Sequence, residues 1–94
     1  MAKYRKKPVV IEAVPCSDII SAMEHSWLAL PKWVVDAYEE GTITAVNTSG
    51  FTVNTLEGAL TALRGDMLIK GVAGELYPCR DSIFIATYDL VEEK

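Results

Sequence analysis

The chain has 94 residues, 50% of them hydrophobic and 23% charged, a globular composition that excludes a disordered tail, a collagen-like repeat and a coiled coil. At this size folding hides roughly 60–65% of the surface that the unfolded chain exposes, enough for one modest core in a single domain over residues 1–94 and too little for a deep, many-walled catalytic cleft. Nine Lys and Arg against thirteen Asp and Glu give a net charge of −4, so the whole molecule repels nucleic acid and anionic lipid at long range unless a local basic patch reverses the field.

Residues 1–7 are a basic N-terminal segment expected to be flexible. Pro8 then opens a run of β-branched residues, Val9, Val10 and Ile11, that continues to Val14 and predicts a strand whose first position tolerates the missing N–H. Pro15 is expected to end it. Ser17 or Asp18 is placed to cap a helix in which Ile19, Ile20, Met23 and Trp27 recur at intervals of three and four. A second helix is marked more fully, with Pro31 at its first turn, Trp33, Val34, Ala37 and Tyr38 on one face, and Gly41 where a left-handed cap belongs. From Thr42 the period changes to two: Ile43 and Ala45, then Phe51, Val53 and Thr55, then Ala59, Thr61 and Leu63. The separators Asn47-Thr48-Ser49-Gly50 and Leu56-Glu57-Gly58 carry glycines able to take the positive φ of tight hairpins. Arg64-Gly65-Asp66 turns the chain into a strand at residues 67–70, Gly71-Val72-Ala73-Gly74 turns it again into residues 75–78, and Asp81-Ser82 is suited to cap one helical turn anchored by Phe84. A last strand is expected at residues 86–91, with residues 92–94 frayed. These elements predict an α+β domain: one mainly antiparallel, twisted sheet of about five strands with two short helices packed on one face.

Candidate chemistry is sparse. Cys16 and Cys79 lie far apart with no Cys-x-x-Cys and no paired histidines, the pattern of reduced thiols rather than of a disulfide framework or a zinc site. Neither a metal site nor a cofactor is expected, because the carboxylates are scattered and lack any calcium-loop or zincin spacing. His25 is the single histidine, with Ser21 one helical turn before it, but a hydrolase also needs a strained nucleophile turn that is missing here. Cys79 beside Arg80, paired with His25, is the weakest alternative, a small cysteine-dependent hydrolase. No catalytic residue is assigned and the protein is read as a non-enzyme.

Two stretches suit binding. The loop region holding Lys70, Gly71, Gly74, Tyr77 and Arg80 combines glycines that let an anion or another backbone approach, two cations, and a flat aromatic ring. Residues 3–7, namely Lys3, Tyr4, Arg5, Lys6 and Lys7, interleave four cations with a tyrosine, an arrangement that grips phosphates while a ring stacks on a base. In an extended strand Lys3, Arg5 and Lys7 share one face, and edge lysines that discourage strand-to-strand aggregation explain the same pattern. No secretory core follows the charged start, and no apolar run approaches the roughly 18 residues of a membrane span, so a cytoplasmic protein without a membrane partner is expected.

Lys3-Tyr4-Arg5-Lys6-Lys7-Pro8-Val9-Val10-Ile11-Glu12-Ala13 at the start, and Gly65-Asp66, Ile69-Lys70-Gly71-Val72, Gly74-Glu75, Tyr77-Pro78-Cys79 and residues 81–88 later, resemble a family of small uncharacterised proteins encoded by tailed bacteriophages and prophages. Leu30-Pro31-Lys32-Trp33 and Thr55-Leu56-Glu57-Gly58 are similar to the same family in corresponding order. The chain departs from it at Pro15-Cys16, where relatives often carry Gln-Trp, and at Arg64, where they often carry proline. The resemblance implies a phage-encoded accessory protein made in a bacterial cytoplasm and brings no catalytic residue with it. Together these readings lead to a non-enzymatic binding protein for a host or phage factor or a small metabolite. A nucleic-acid-binding accessory protein using residues 3–7 is the alternative. A homodimer is expected from the sheet edge that so short a hairpin-rich domain leaves open.

Overall fold

The computed structural model describes residues 1–5, 7–23 and 25–91. Lys6 of the basic segment and the end expected to fray at residues 92–94 lie outside the described residues. In chain order the elements are β1 (Glu12–Pro15), α1 (Cys16–Ala22), a single 3₁₀ turn (Trp27–Ala29), α2 (Lys32–Glu39), β2 (Ile43–Thr44), β3 (Gly50–Thr55), β4 (Gly58–Leu63), β5 (Met67–Lys70), β6 (Leu76–Cys79) and α3 (Asp81–Thr87). The domain is α+β, but the single five-stranded sheet is corrected. Six strands form two three-stranded antiparallel sheets, ordered β1-β5-β6 and β2-β3-β4, with three α-helices among the described residues. The division falls at Arg64-Gly65-Asp66. Asp66 folds this turn on itself, its N–H donating to the Leu63 carbonyl at 2.9 Å and its carboxylate accepting the Leu63 N–H at 2.9 Å. Its carbonyl then accepts the Cys16 N–H at 2.9 Å, which delivers β5 to β1 instead of to β4.

The core lies between the sheets and the first two helices. Val14 and Leu68 enter it from one sheet, Ile43, Phe51, Val53 and Ala62 from the other, Cys16, Ile19 and Ile20 from α1, and Val34 and Ala37 from α2. Ile19, Val34, Ile43, Val53 and Leu68 are wholly buried, each stabilising the fold by about 1.5–3 kcal/mol relative to exposure. Helix α2 forms as its sequence signals predict. Pro31 stands at its N-cap, and past its C-terminus Gly41 takes φ +83° while Gly41 N–H donates to the Tyr38 carbonyl and Thr42 N–H to the Ala37 carbonyl, the paired bonds of a Schellman cap.

Several expectations are corrected. The first strand covers residues 12–15 and not 8–14, because its partner β5 ends at Lys70 opposite Glu12 and leaves residues 8–11 nothing to pair with. Pro15 closes the strand as its last residue and serves as N-cap of α1 without a side-chain cap from Ser17 or Asp18. Trp27 is not on that helix: α1 stops at Ala22, and Ser26 starts a separate 3₁₀ turn by accepting the Leu28 N–H at 3.1 Å. In β4 the inward face is one residue out of phase with the reading. The two-residue turn Leu56-Glu57 sets Thr55 opposite Gly58 and Phe51 opposite Ala62, so Ala62 is buried while Ala59, Thr61 and Leu63 face outward. Gly50 does not take a positive φ; it is needed because a Cβ there would run into the Ala62 carbonyl oxygen. The one helical turn after Cys79 is the two-turn α3, without a side-chain cap, and it takes up Ala86 and Thr87 of the expected last strand; residues 88–91 form no strand.

Strand β5 is buried on both sides. Leu68 points to the core, whereas the equally buried Ile69 lies outside that cluster on the opposite face, level with Tyr77 of β6 and one pleat from Met67. Helix α3 returns after β6 beside this second face, and its Phe84 packs on Tyr88 with ring centroids 5.2 Å apart.

Candidate binding groove

On that second face the fold leaves a groove of about 480 Å³. Ala13 and Met67, which alternate to the same side of β1 and β5, line it with Phe84 and Tyr88 from α3 and its C-terminal continuation and with Pro31 and Trp33 from the start of α2; Val9 and Val10 form one stretch of its wall and Leu90 and Val91 another. Both stretches are open: Val10 is 74% exposed and Leu90 89%. Residues 8–10 and 89–91 make no backbone hydrogen bond to any other described residue, although Tyr88, just before residues 89–91, is already extended at φ −122° and ψ 142°. Tyr88 is held from behind by Tyr77, whose hydroxyl lies 3.5 Å from its own. Burial, followed by that contact, pushes the Tyr77 phenol up to about 12, so it remains a neutral hydrogen-bonding group at any physiological pH. The charged residues lining the groove are Glu12 and Asp89, with no lysine or arginine among the described ones.

Of the five residues expected to form a ligand loop, Lys70, Gly71 and Gly74 share the β5–β6 turn, whereas Tyr77 and Arg80 lie apart from it. Lys70 and Gly74 border a shallower hollow of about 760 Å³ with Trp33, Asp36, Glu40 and Glu75. Tyr77 sits on the Ile69 face toward Tyr88, and Arg80 is the exposed N-cap of α3. Nor is the β5–β6 turn an open anion cradle. Gly71 N–H donates to the Glu75 carbonyl at 2.8 Å, Gly74 N–H to the Gly71 carbonyl at 3.0 Å, and Ala73 N–H to the Glu75 carboxylate at 3.0 Å. Glu75 thus supplies the anion from within the chain. A Cβ at Gly71 would push that carboxylate aside, and Gly74 takes φ +86°, which favours glycine. Lys70 is turned to Glu12, 3.6 Å away.

Lys3, Tyr4, Arg5 and Lys7 are all exposed in a segment without regular structure, so the strand-like sharing of one face does not apply to them. His25 is exposed beyond the end of α1 and lines a small hollow with Asp18 and Ser21. No hydrogen bond links it to Cys79, whose thiol reaches only the Arg80 carbonyl at 3.5 Å. Both cysteines are free thiols; burial pushes the Cys16 thiol up to about 12, with the Asp66 carboxylate adding to the rise, so it is no nucleophile at neutral pH. Among the described residues no three His, Cys, Asp or Glu side chains gather as metal ligands, and no helix is long and apolar enough to cross a membrane.

Sequence reasoning passed over Val9, Val10, Met67, Phe84 and Leu90 as a site because each reads as ordinary core or strand. The available signal was the count of extended, apolar stretches against the strands able to pair them. No protein-family model, curated protein or solved structure matches the chain.

Proposed function

We propose that this chain is a phage- or prophage-encoded accessory protein of the bacterial cytoplasm that acts by binding a protein partner, not by catalysis, and that the groove beside α3 takes an extended, apolar segment of that partner. One observation carries the reading: residues 8–10, and residues 89–91 with apolar Leu90 and Val91, line a single groove with no backbone hydrogen bond to any other described residue. A strand laid between them satisfies those groups with main-chain hydrogen bonds while alternate side chains enter the apolar floor, the logic of recognition by strand addition. Glu12 and Asp89 favour a segment that carries a cation.

Calorimetric titration with a short synthetic peptide of alternating valine and threonine, ending in lysine, tests this. Saturable binding is expected, weakened about tenfold or more, or about 1.4 kcal/mol, by Met67→Glu or Phe84→Ala in protein whose circular dichroism is unchanged. Binding indifferent to both substitutions, or no binding to monomeric protein, refutes the groove as the site.

A further inference from the structure

The distribution of charge along the chain is uneven. Four of its nine cations fall in residues 3–7, leaving five against all thirteen carboxylates in the rest of the molecule. Lys3, Arg5 and Lys7 are exposed and make no ion pair among the described residues. On the body, Asp89 has no cationic partner among the described residues, and Glu12 meets Lys70 only at 3.6 Å with most of its side chain in solvent. Directly after the cations come Pro8, Val9 and Val10, which are apolar and prone to extension. The N-terminal arm therefore has the composition that the groove suits: cations for Glu12 and Asp89, then β-branched residues for an apolar floor. It cannot serve its own groove in this way, because its valines already form one wall before the chain enters β1. Extended, the eight residues from Lys3 to Val10 span about 26–29 Å, far enough to leave one body and lie along another.

We propose that the arm of a second copy of this chain fills the groove, two copies exchanging arms about a two-fold axis near Val9 and Val10. Such an interface is isologous, so each arm runs antiparallel to its mate, and the cations of either copy fall beside the Glu12 and Asp89 of the other. Residues 8–10 gain a strand partner that β5 is too short to give. The inference rests on the reading of the groove as a strand-binding surface and goes beyond it by naming the occupant.

A charge exchange tests it on the full chain. Wild-type protein at tens of micromolar is expected to scatter light with twice the 10.3 kDa mass of one chain. One variant carries Lys3→Glu, Arg5→Glu and Lys7→Glu, the other Glu12→Lys and Asp89→Lys; each is expected to be monomeric with wild-type circular dichroism, since like charges then meet in both halves of the interface. Mixed in equal amounts, the two are expected to regain the dimeric mass, because every arm again meets a groove of opposite sign. A wild-type mass of 10.3 kDa, variants that stay dimeric alone, or a mixture that stays monomeric each overturns arm exchange. Monomeric wild type that shifts short DNA through Lys3, Arg5 and Lys7 also overturns it and makes the arm a nucleic-acid contact. Should monomeric wild type still bind the valine–threonine peptide, the groove stands and only self-occupancy falls; a restored heterodimer without peptide binding confines the groove to its own arm.

Discussion

Gly50→Ala is the substitution whose cost follows most directly from the packing. An added Cβ runs into the carbonyl oxygen of Ala62 and comes within 3.2 Å of the Ala62 carbonyl carbon and the Leu63 Cα. All three atoms are backbone in β4, which β3 pairs residue for residue from Gly50–Leu63 to Thr55–Gly58, so no side chain can swing aside to admit the methyl group. The strands have to part at this end. That strains the adjoining Arg64 N–H to Ser49 carbonyl bond of 2.9 Å and displaces Phe51 and Ala62 in the core. Overpacking of this kind costs about 1–3 kcal/mol, and one weakened backbone bond about 1 kcal/mol more, giving a destabilisation of about 3 kcal/mol. For a domain of this size the melting temperature falls about 4–8 °C per kcal/mol, hence roughly 12–24 °C here. Gly65→Ala is the control. Gly65 has no positive φ and nothing within 4 Å of an added Cβ, so it is expected to be neutral or to stabilise by up to ~1 kcal/mol through the unfolded chain. Urea unfolding followed by circular dichroism measures both, with an unchanged m-value confirming that only stability moved. A Gly50→Ala protein within 0.5 kcal/mol of wild type, or one no worse than Gly65→Ala, refutes the close approach of β3 and β4 at this end.

Three further outcomes follow from local chemistry. Asn47→Ala removes the side-chain oxygen that accepts the Ser49 and Gly50 N–H groups at 2.8 and 3.2 Å and is expected to cost about 1 kcal/mol in urea, most of it restored by Asn47→Asp; equal losses in both variants would show that the carboxamide oxygen is not what holds the turn. Glu75→Ala frees the Ala73 N–H, so hydrogen exchange at Ala73 should accelerate, whereas inorganic phosphate should leave the Gly71, Ala73 and Gly74 amide resonances of the wild type in place; saturable phosphate shifts would mean that Glu75 yields its position. Iodoacetamide on folded protein at pH 8 should alkylate Cys79 and spare Cys16. Because the Cys16 pKa is raised in the fold, its contribution is fully present below the unfolded value of 9 and lost as pH climbs toward about 12; Cys16→Ala should therefore lose less stability than wild type between pH 9 and 12, and parallel losses would refute a buried neutral thiol.

What was legible in the sequence was local. Pro31, the apolar face through Val34 and Ala37, and Gly41 define α2 almost to the residue, since a helix and its caps depend on neighbours three to six positions away. The hairpins were legible for the same reason. The inward face of β4 was not, because Ala59, Thr61 and Leu63 alternate as well as Leu60 and Ala62 do, and only the length of the Leu56-Glu57 turn chooses between them. The split into two sheets was equally hidden: it depends on the Asp66 carbonyl meeting the Cys16 N–H, groups 50 positions apart in the chain. At the candidate site, glycines and cations drew the reading to Lys70, Gly71, Gly74, Tyr77 and Arg80, whereas Glu75, read only as the start of the next strand, satisfies that turn. The nucleic-acid reading rested on the cations of residues 3–7 and the dimer reading on an open sheet edge, and neither had a surface on which to be placed.

The two strands that the sequence overstates share one cause. Residues 8–11 and 86–91 carry strand-forming residues, and a sequence normally agrees with its structure at every level except where function or strain intervenes. In both places the local preference is left unused because no strand of this chain lies alongside: β5 ends at Lys70, and α3 consumes Ala86 and Thr87 before Tyr88 turns extended. Had these stretches been scattered, they would be surplus strand propensity of no consequence. They instead line one groove together with Met67 and Ala13. A single added strand would pair residues 8–10 and 89–91 at once and cover Val10, Leu90 and Val91, three of the apolar side chains most open to solvent on this face. The two departures from the sequence reading thus meet at one groove, and the strand addition proposed for it accounts for both at once.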